Sequence, residues 1–181
     1  GRNRKSIISQ MSNNQESYSV PEKIAIDKAQ KQLFAEFDGC SVKADLKRLT
    51  STNKCAIGRD STQAHRVWGK SESIVHAPLL EVSAFIYDYG SRAFSSQSKK
   101  SKRDVLEKKN SHSSVVYLRE TLPKPFHTRD FVTDLIWKVI DPSTVVIVGL
   151  PAIHDSRPIS GNVKRAECPW IAILTQLPGN K

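Results

Sequence analysis

The chain has 181 residues, of which 38% are hydrophobic, and it carries 28 lysines and arginines against 18 aspartates and glutamates. This length suits one domain with a sizeable core. The formal net charge of +10 favours acidic partners, such as nucleic acid or the anionic face of a membrane.

Cysteine usage and apolar runs exclude several classes of protein. Cys40, Cys55 and Cys168 form no CxxC pair, which argues against a disulfide framework or structural zinc and favours reduced thiols. No apolar run approaches the ~20 residues of a membrane span, and the start lacks the apolar segment of a secretory signal. We therefore expect a cytoplasmic protein. Because the chain does not begin with Met, we interpret it as a fragment.

The first half of the chain predicts two helices separated by short strands. Residues 1–18 are polar and are predicted to be a disordered tail, so the domain is expected to span 19–181. The capping box Ser19-Val20-Pro21-Glu22 opens an amphipathic helix that Gly39 ends. The apolar stripe of this helix is Ile26, Ala29, Leu33 and Phe37. Strands are predicted at 54–58, 65–69 and 72–75.

A second helix is predicted to open at Pro78 and to close at Gly90. Its expected buried face consists of Leu79, Val82, Ile86 and Tyr89. Residues 91–113 are dense in charge and are predicted to form a loop, with a short helix over 103–109. The basic stretch 99–109 suits peripheral contact with an anionic membrane. It lacks interleaved aromatic residues for base stacking, so we do not expect nucleic acid as a partner.

The second half of the chain predicts an antiparallel meander. Strands are expected at 114–120, 131–140, 144–150 and 163–177, the last broken by Pro169. With two helices and a strand-rich middle, the fold class is α+β.

Catalytic and metal-binding patterns are not found in the sequence. The five histidines are scattered, with no HxH or HExxH pair, and no GxSxG, P-loop or GxGxxG motif occurs. Asp130 and Asp134 sit at even spacing on one strand, which is weak support for acid–base chemistry. We predict a protein that is not an enzyme and that has no metal and no cofactor.

Two segments carry a resemblance to a known family. Thr128-Arg129-Asp130-Phe131-Val132, followed by Trp137, and Val163-Lys164-Arg165-Ala166-Glu167 resemble strand openings of the START (steroidogenic acute regulatory protein-related lipid transfer) family. The resemblance covers about residues 42–177. It implies a helix-grip fold, in which a curved antiparallel sheet surrounds a C-terminal lid helix and leaves an apolar tunnel for one lipid. We expect the charged residues of these segments to pair in a structural role.

The resemblance implies lipid binding, and lipid transfer between membranes, as the function. The expected ligand-lining residues, all placed on one face, are Val116, Leu118, Phe131, Thr133, Leu135, Trp137, Val146, Val148 and Leu150. Sterol-handling members carry an acidic and a basic residue near the positions of Val116 and Leu135. Both are apolar here, so the lipid class (sterol, phospholipid or sphingolipid) stays open.

The family pattern continues beyond residue 181 with two further strands and the lid helix. We therefore expect those elements to be absent and the apolar face of the sheet to be uncovered. Two other functions stay open. One is a basic interaction module for RNA, acidic protein or membrane surfaces on the same scaffold, and the other is an enzyme of the wider superfamily.

Overall fold

The structure is a computed structural model that describes residues 2–13, 17–38, 42–46, 53–59, 67–89, 101–123, 125–159, 161 and 163–178. The chain divides into two compact units. One contains Gly1–Ile26 and Ala77–Lys181, and the other contains Asp27–His76.

The smaller unit contains a three-stranded antiparallel sheet. Its strands are β1 (Val42–Leu46), β2 (Asn53–Arg59) and β3 (Val67–Ser73), in that order. The strands predicted at 54–58 and 65–69 are found as β2 and β3, although 65 and 66 lie outside the described residues. The separate strand predicted at 72–75 is wrong, because Glu72 and Ser73 pair with β2 as the end of β3.

The predicted capping box is present at the start of a long helix. With Arg2–Asn13 as α1, this helix is α2 (Val20–Asp38), and Gly39 lies outside the described residues. The Ser19 N–H donates to Glu22 Oε2 at 2.8 Å, and the Glu22 N–H donates to Ser19 Oγ at 3.4 Å. The two residues thus satisfy backbone groups that the first turn of a helix leaves unpaired.

Glu22 also fixes the start of α2 to the loop before strand 113–120. Asn110 Nδ2 donates to Glu22 Oε1 at 2.9 Å, and Nε2 of the buried His112 lies 3.1 Å from the same oxygen. Burial raises the pKa of Glu22, but the hydrogen bonds from Asn110, Ser19 and His112 together lower it from 4.5 to about 2.

The N-terminal segment is a helix over 2–13, which corrects the prediction of a disordered tail there. In α1, Ile7 and Met11 are only 3% and 1% exposed and belong to the main apolar core. These residues are four apart, so they share one face of the helix and pack into the core of the larger unit. The sparse apolar content of the segment concealed this spacing.

The predicted second helix is α3 (Leu79–Tyr87), whereas Gly90 lies outside the described residues. Its fully buried residues are Ser83, Ala84 and Tyr87, while Leu79, Ile86 and Tyr89 pack half-buried at the edge of the core. The buried stripe is therefore shifted from the predicted one. Small side chains at 83 and 84 let the helix approach its neighbours closely, and Ser83 Oγ donates to Leu79 O at 2.8 Å within the helix.

The larger unit is built on the predicted antiparallel meander. Its strands are β4 (Ser101–Lys108), β5 (Ser113–Glu120), β6 (Arg129–Asp141), β7 (Thr144–Pro151), β8 (Lys164–Arg165) and β9 (Trp170–Thr175). They are ordered β4-β5-β6-β7-β9, and the short β8 pairs in parallel with β6. The predicted strand 163–177 is therefore two strands in different places.

The helix predicted over 103–109 is wrong, because residues 101–108 form β4 on the edge of this sheet. β4 pairs with β5 over its length, with a bulge between Val105 and Glu107. Charged side chains are well tolerated on an edge strand, where they discourage pairing with another chain. The density of Lys and Arg therefore did not indicate a loop.

Glu22→Gln should lower the free energy of unfolding at pH 7 by about 1 kcal/mol, because charge-assisted hydrogen bonds to the carboxylate are lost. A folded-state pKa below the unfolded value stabilises the fold above pH 4.5, and this contribution is lost as the pH falls through about 2. The difference between wild type and variant should therefore shrink over that window. Urea unfolding at several pH values measures it, with the exposed Asp27→Asn on the same helix as control. Equal profiles for the two variants would contradict the docking role of Glu22.

Gly149→Ala should cost about 1–3 kcal/mol of stability, since a Cβ there would collide with the Trp170 indole that crosses β7. Gly69→Ala is the matched control, because a Cβ at Gly69 in β3 meets nothing within 4 Å. Thermal unfolding of both variants checks this. A Gly149→Ala protein as stable as the control would mean that Trp170 packs elsewhere.

Candidate functional site

One face of the larger sheet is apolar and is covered by α1 and α3. We call it the inner face. Its fully buried residues come from three adjacent strands and are Val116, Leu135, Trp137, Val145 and Ile147. Because these strands are neighbours in the sheet, their side chains form one continuous apolar surface.

The register shows which predicted ligand-lining residues share the inner face. Val116 is paired with Thr133 and Leu118 with Phe131, so all four lie on the same side as Leu135 and Trp137. Thr133, Leu118 and Phe131 are half-buried, whereas Leu135 and Trp137 are fully buried. This part of the predicted surface is contiguous.

The predicted facing of β7 is wrong by one residue. Val146, Val148 and Leu150 pair with Lys138, Ile136 and Asp134 and lie on the opposite face, which we call the outer face. Val145 and Ile147 take the inner positions instead. A bulge between Val139 and Asp141 shifts the register beside the turn, and apolar residues on both faces of β7 hid the shift.

The inner face is filled by side chains from both helices, which corrects the expectation of an uncovered sheet. Ile7 and Met11 of α1 and Ala84 and Tyr87 of α3 belong to the same buried cluster as the sheet residues. The Tyr87 and Trp137 rings meet edge to face, with centroids 6.5 Å apart at 84°, an arrangement that aromatic pairs favour.

An open groove of about 650 Å³ lies at one end of this cluster. Its walls are α1, the start of α3, the end of β6 and the end of β9. The lining residues are Ile8, Met11, Ser12, Pro78, Leu79, Leu80, Glu81, Val139, Pro142 and Gln176. Most of these are apolar, and Met11 belongs both to the groove and to the core behind it.

Polar groups lie at the groove and hold its wall together. The Leu79 N–H at the start of α3 donates to Gln176 Oε1 at 3.3 Å. The Gln176 N–H donates to Ser143 O at 2.8 Å. Gln176 therefore joins the start of α3 to the β6–β7 turn, and Ser12 and Glu81 add two further polar side chains to the lining.

The charged residues of the two resembling segments form a structural pair away from the groove. Arg165 Nε and Nη2 donate to Asp130 Oδ1 and Oδ2 at 2.8 and 3.1 Å, and Nη2 also donates to Arg157 O at 2.9 Å. The hydrogen bond to Asp130 raises the pKa of Arg165. This ion pair joins β8 to β6, which run parallel to each other there. Arg129 and Glu167, the other two charged residues expected to pair, are exposed.

Much of the charge in the basic stretch 99–109 is paired within the protein. The Arg103 guanidinium lies 4.8 Å from the Tyr89 ring centroid, Lys102 lies 3.5 Å from Asp104, and Lys109 lies 2.6 Å from Asp134. Positions 99 and 100 lie outside the described residues. Membrane contact through this stretch stays a prediction.

Within the described ranges, no group of three or more His, Cys, Asp or Glu side chains is placed to hold a metal ion. Asp134, one of the two carboxylates considered for acid–base work, is bound to Lys109, and Asp130 is bound to Arg165.

No helix among the described residues is long and apolar enough to cross a membrane.

Sequence reasoning missed the contribution of α1 to this site. Ile7, Ile8 and Met11 have the helical spacing of a buried stripe, and that spacing was the available signal. Trp170 and Gly149 were missed because the close approach of an indole to a glycine on the neighbouring strand depends on register.

No family model matches the chain, and no curated protein is significantly similar to it in sequence. Solved structures do match. The human StarD13 (DLC2) lipid transfer and protein localization domain is 16% identical with a TM-score of 0.61, over 84% of this chain and 76% of that chain. Human StAR-related lipid transfer protein 5 is 14% identical with a TM-score of 0.64, over 97% of this chain and 78% of that chain.

A STAR-related lipid transfer protein from Xanthomonas axonopodis gives a similar result, with 14% identity and a TM-score of 0.62 over 75% of each chain. Likeness at such low identity concerns the fold. The predicted fold class is confirmed: the chain has the START-like, helix-grip α+β fold.

Proposed function

We propose that the chain binds a lipid-like molecule at the groove and the adjoining inner face. The observation that carries the proposal is the continuity between the groove and the apolar core, through Met11, in a START-like fold. Solved structures with this fold include the StarD13 lipid transfer and protein localization domain and human StAR-related lipid transfer protein 5. We extend this proposal from lipid binding to a role in lipid transfer.

The size and lining of the groove suit such a ligand. A volume of about 650 Å³ lies within the range of roughly 300–1,000 Å³ for small-molecule sites. Removing apolar ligand surface from water contributes ~25 cal/mol per Å², so few polar contacts are needed. Ser12, Glu81 and Gln176 are available to meet a polar headgroup at the groove.

We propose binding rather than catalysis because the carboxylates considered for chemistry are engaged in ion pairs away from the groove. A basic interaction module is less favoured, since Lys102, Arg103 and Lys109 contact groups of the same chain. The groove instead presents apolar side chains, which suit neither RNA nor an acidic protein surface.

The proposal is tested by extracting the purified protein with organic solvent and identifying bound lipid by mass spectrometry. We expect a lipid to be retained, or to be taken up from a mixed lipid extract offered to the protein. Protein that neither retains nor takes up any lipid while its fold is intact would overturn the proposal.

A groove-filling substitution makes the test specific to this site. Val139→Phe adds an aromatic ring to the groove lining and should lower the affinity for lipid at least about tenfold by occupying ligand space. Ile140→Phe is the matched control, because Ile140 is the next residue on the same strand and is 44% exposed. Lipid titration of both variants measures the difference. Equal affinities in two folded variants would place the ligand elsewhere.

A further inference from the structure

Helix α1 packs against the inner face of the sheet, which the proposed function assigns to the ligand. Ile7 and Met11 are almost fully buried, and they share one cluster with Leu135 and Trp137. Ile8, Met11 and Ser12 also form one wall of the groove. The inner face is therefore occupied by a segment of the chain itself.

The contacts that hold α1 are of a kind that a hydrocarbon chain can replace. Among the described residues, no side-chain hydrogen bond or ion pair joins the 4–13 part of α1 to the sheet. Ser12 Oγ donates within the helix to Ile8 O, and the Arg4 guanidinium lies 5.0 Å from the Phe85 ring centroid on α3. A helix of 12 residues is marginal in water without tertiary packing. Its docking thus depends on apolar burial.

The composition of α1 fits a second surface as well. Its sequence, RNRKSIISQMSN, has Arg2, Arg4 and Lys5 at one end and no acidic residue. The apolar residues Ile7, Ile8 and Met11 follow these charges. Short helices with a basic segment and an apolar stripe bind the interface of anionic membranes.

We propose that α1 is a removable occupant of the ligand groove and that an anionic bilayer removes it. In the docked state, Ile7 and Met11 take the place of ligand hydrocarbon on the inner face. At a bilayer, the basic end of α1 meets anionic headgroups while its apolar residues enter the interface, and the groove then extends along Leu135 and Trp137. The proposal rests on the proposed function, because it assigns a competitor and a membrane partner to that same site.

Competition is tested with a dansyl-labelled fatty acid, whose binding to the full chain is followed by energy transfer from tryptophan. Ile7→Gln weakens the docking of α1 without changing the groove lining, and it should tighten probe binding about tenfold, because less of the protein is held in the closed state. Ser9→Gln on the exposed side of the same helix is the matched control and should bind as wild type does.

Membrane release is tested with phosphatidylcholine vesicles made with and without phosphatidylserine. The anionic vesicles should tighten probe binding to wild type about tenfold relative to neutral vesicles, and they should have little effect on Ile7→Gln, in which α1 is already released. Arg2→Glu with Lys5→Glu should abolish the response. Lys23→Glu with Lys28→Glu makes the same change of net charge at exposed positions of α2 and should retain it.

A measurement on wild type keeps the inference testable if the Ile7→Gln protein does not fold. Tryptic cleavage after Lys5 should become about tenfold faster when the probe is bound, since cleavage requires the helix to leave its site. Equal probe affinity in Ile7→Gln and wild type, or unchanged cleavage on binding, would overturn the inference and leave lipid binding in place. If neither wild type nor a folded Ile7→Gln variant binds the probe, the proposed function itself is wrong and this inference is lost with it.

Discussion

The structure of the larger unit depends on covering one apolar face of its sheet. Trp137 and Leu135 are fully buried at the centre of that face, and a sheet with such side chains is stable when a second layer removes them from water. Both α1 and α3 serve as that layer. The Trp137 N–H and its indole Nε1 also donate to His112 O and Ser111 O, at 3.0 and 3.3 Å. The same residue thus positions the loop to which Glu22 binds.

Much of the strand framework could be predicted because it depends on local sequence. The turn at 141–143 and the runs of 114–120, 131–140 and 144–150, rich in β-branched and aromatic residues, specify a meander without reference to the rest of the chain. The capping box likewise involves Ser19 and Glu22, three residues apart. In each case the interactions that decide the structure lie within a few residues or between adjacent strands.

The elements that could not be predicted depend on partners distant in sequence. α1 is polar on average, and its helix is stabilised by packing of Ile7 and Met11 against a core whose other buried residues lie beyond position 83. β4 carries a charge pattern that suits a loop or a helix, and it becomes a strand by pairing with β5. The facing of Val146, Val148 and Leu150 was reversed because a single bulge decides it and both faces of β7 are apolar.

The charged residues that carried part of the family resemblance serve the fold and do not line the groove. Asp130 and Arg165 form a two-point ion pair that joins β6 to β8, and neither is among the groove residues. A motif of this kind identifies a scaffold, and a scaffold hosts different ligands according to the side chains on its inner surface. For the proposed ligand, selectivity therefore has to be sought in the groove, where Glu81 and Gln176 supply polar groups that do not belong to α1.

The apolar side chains of the inner face have to be removed from water, and more than one apolar partner can cover them. Leu135, Trp137 and Ile147 need contact with hydrocarbon, whether it comes from Ile7 and Met11 or from a bound lipid. The gain in free energy is roughly proportional to the apolar area removed from water. Covering the inner face with the helix or with a lipid therefore gives large gains of similar size, and the difference between them is small. The described side chains of α1, at 4–13, make no hydrogen bond to the sheet, and such a helix is among the first elements expected to open by local unfolding. Under the proposed function, the contact that completes the core of the larger unit is thus also a contact that a ligand can replace.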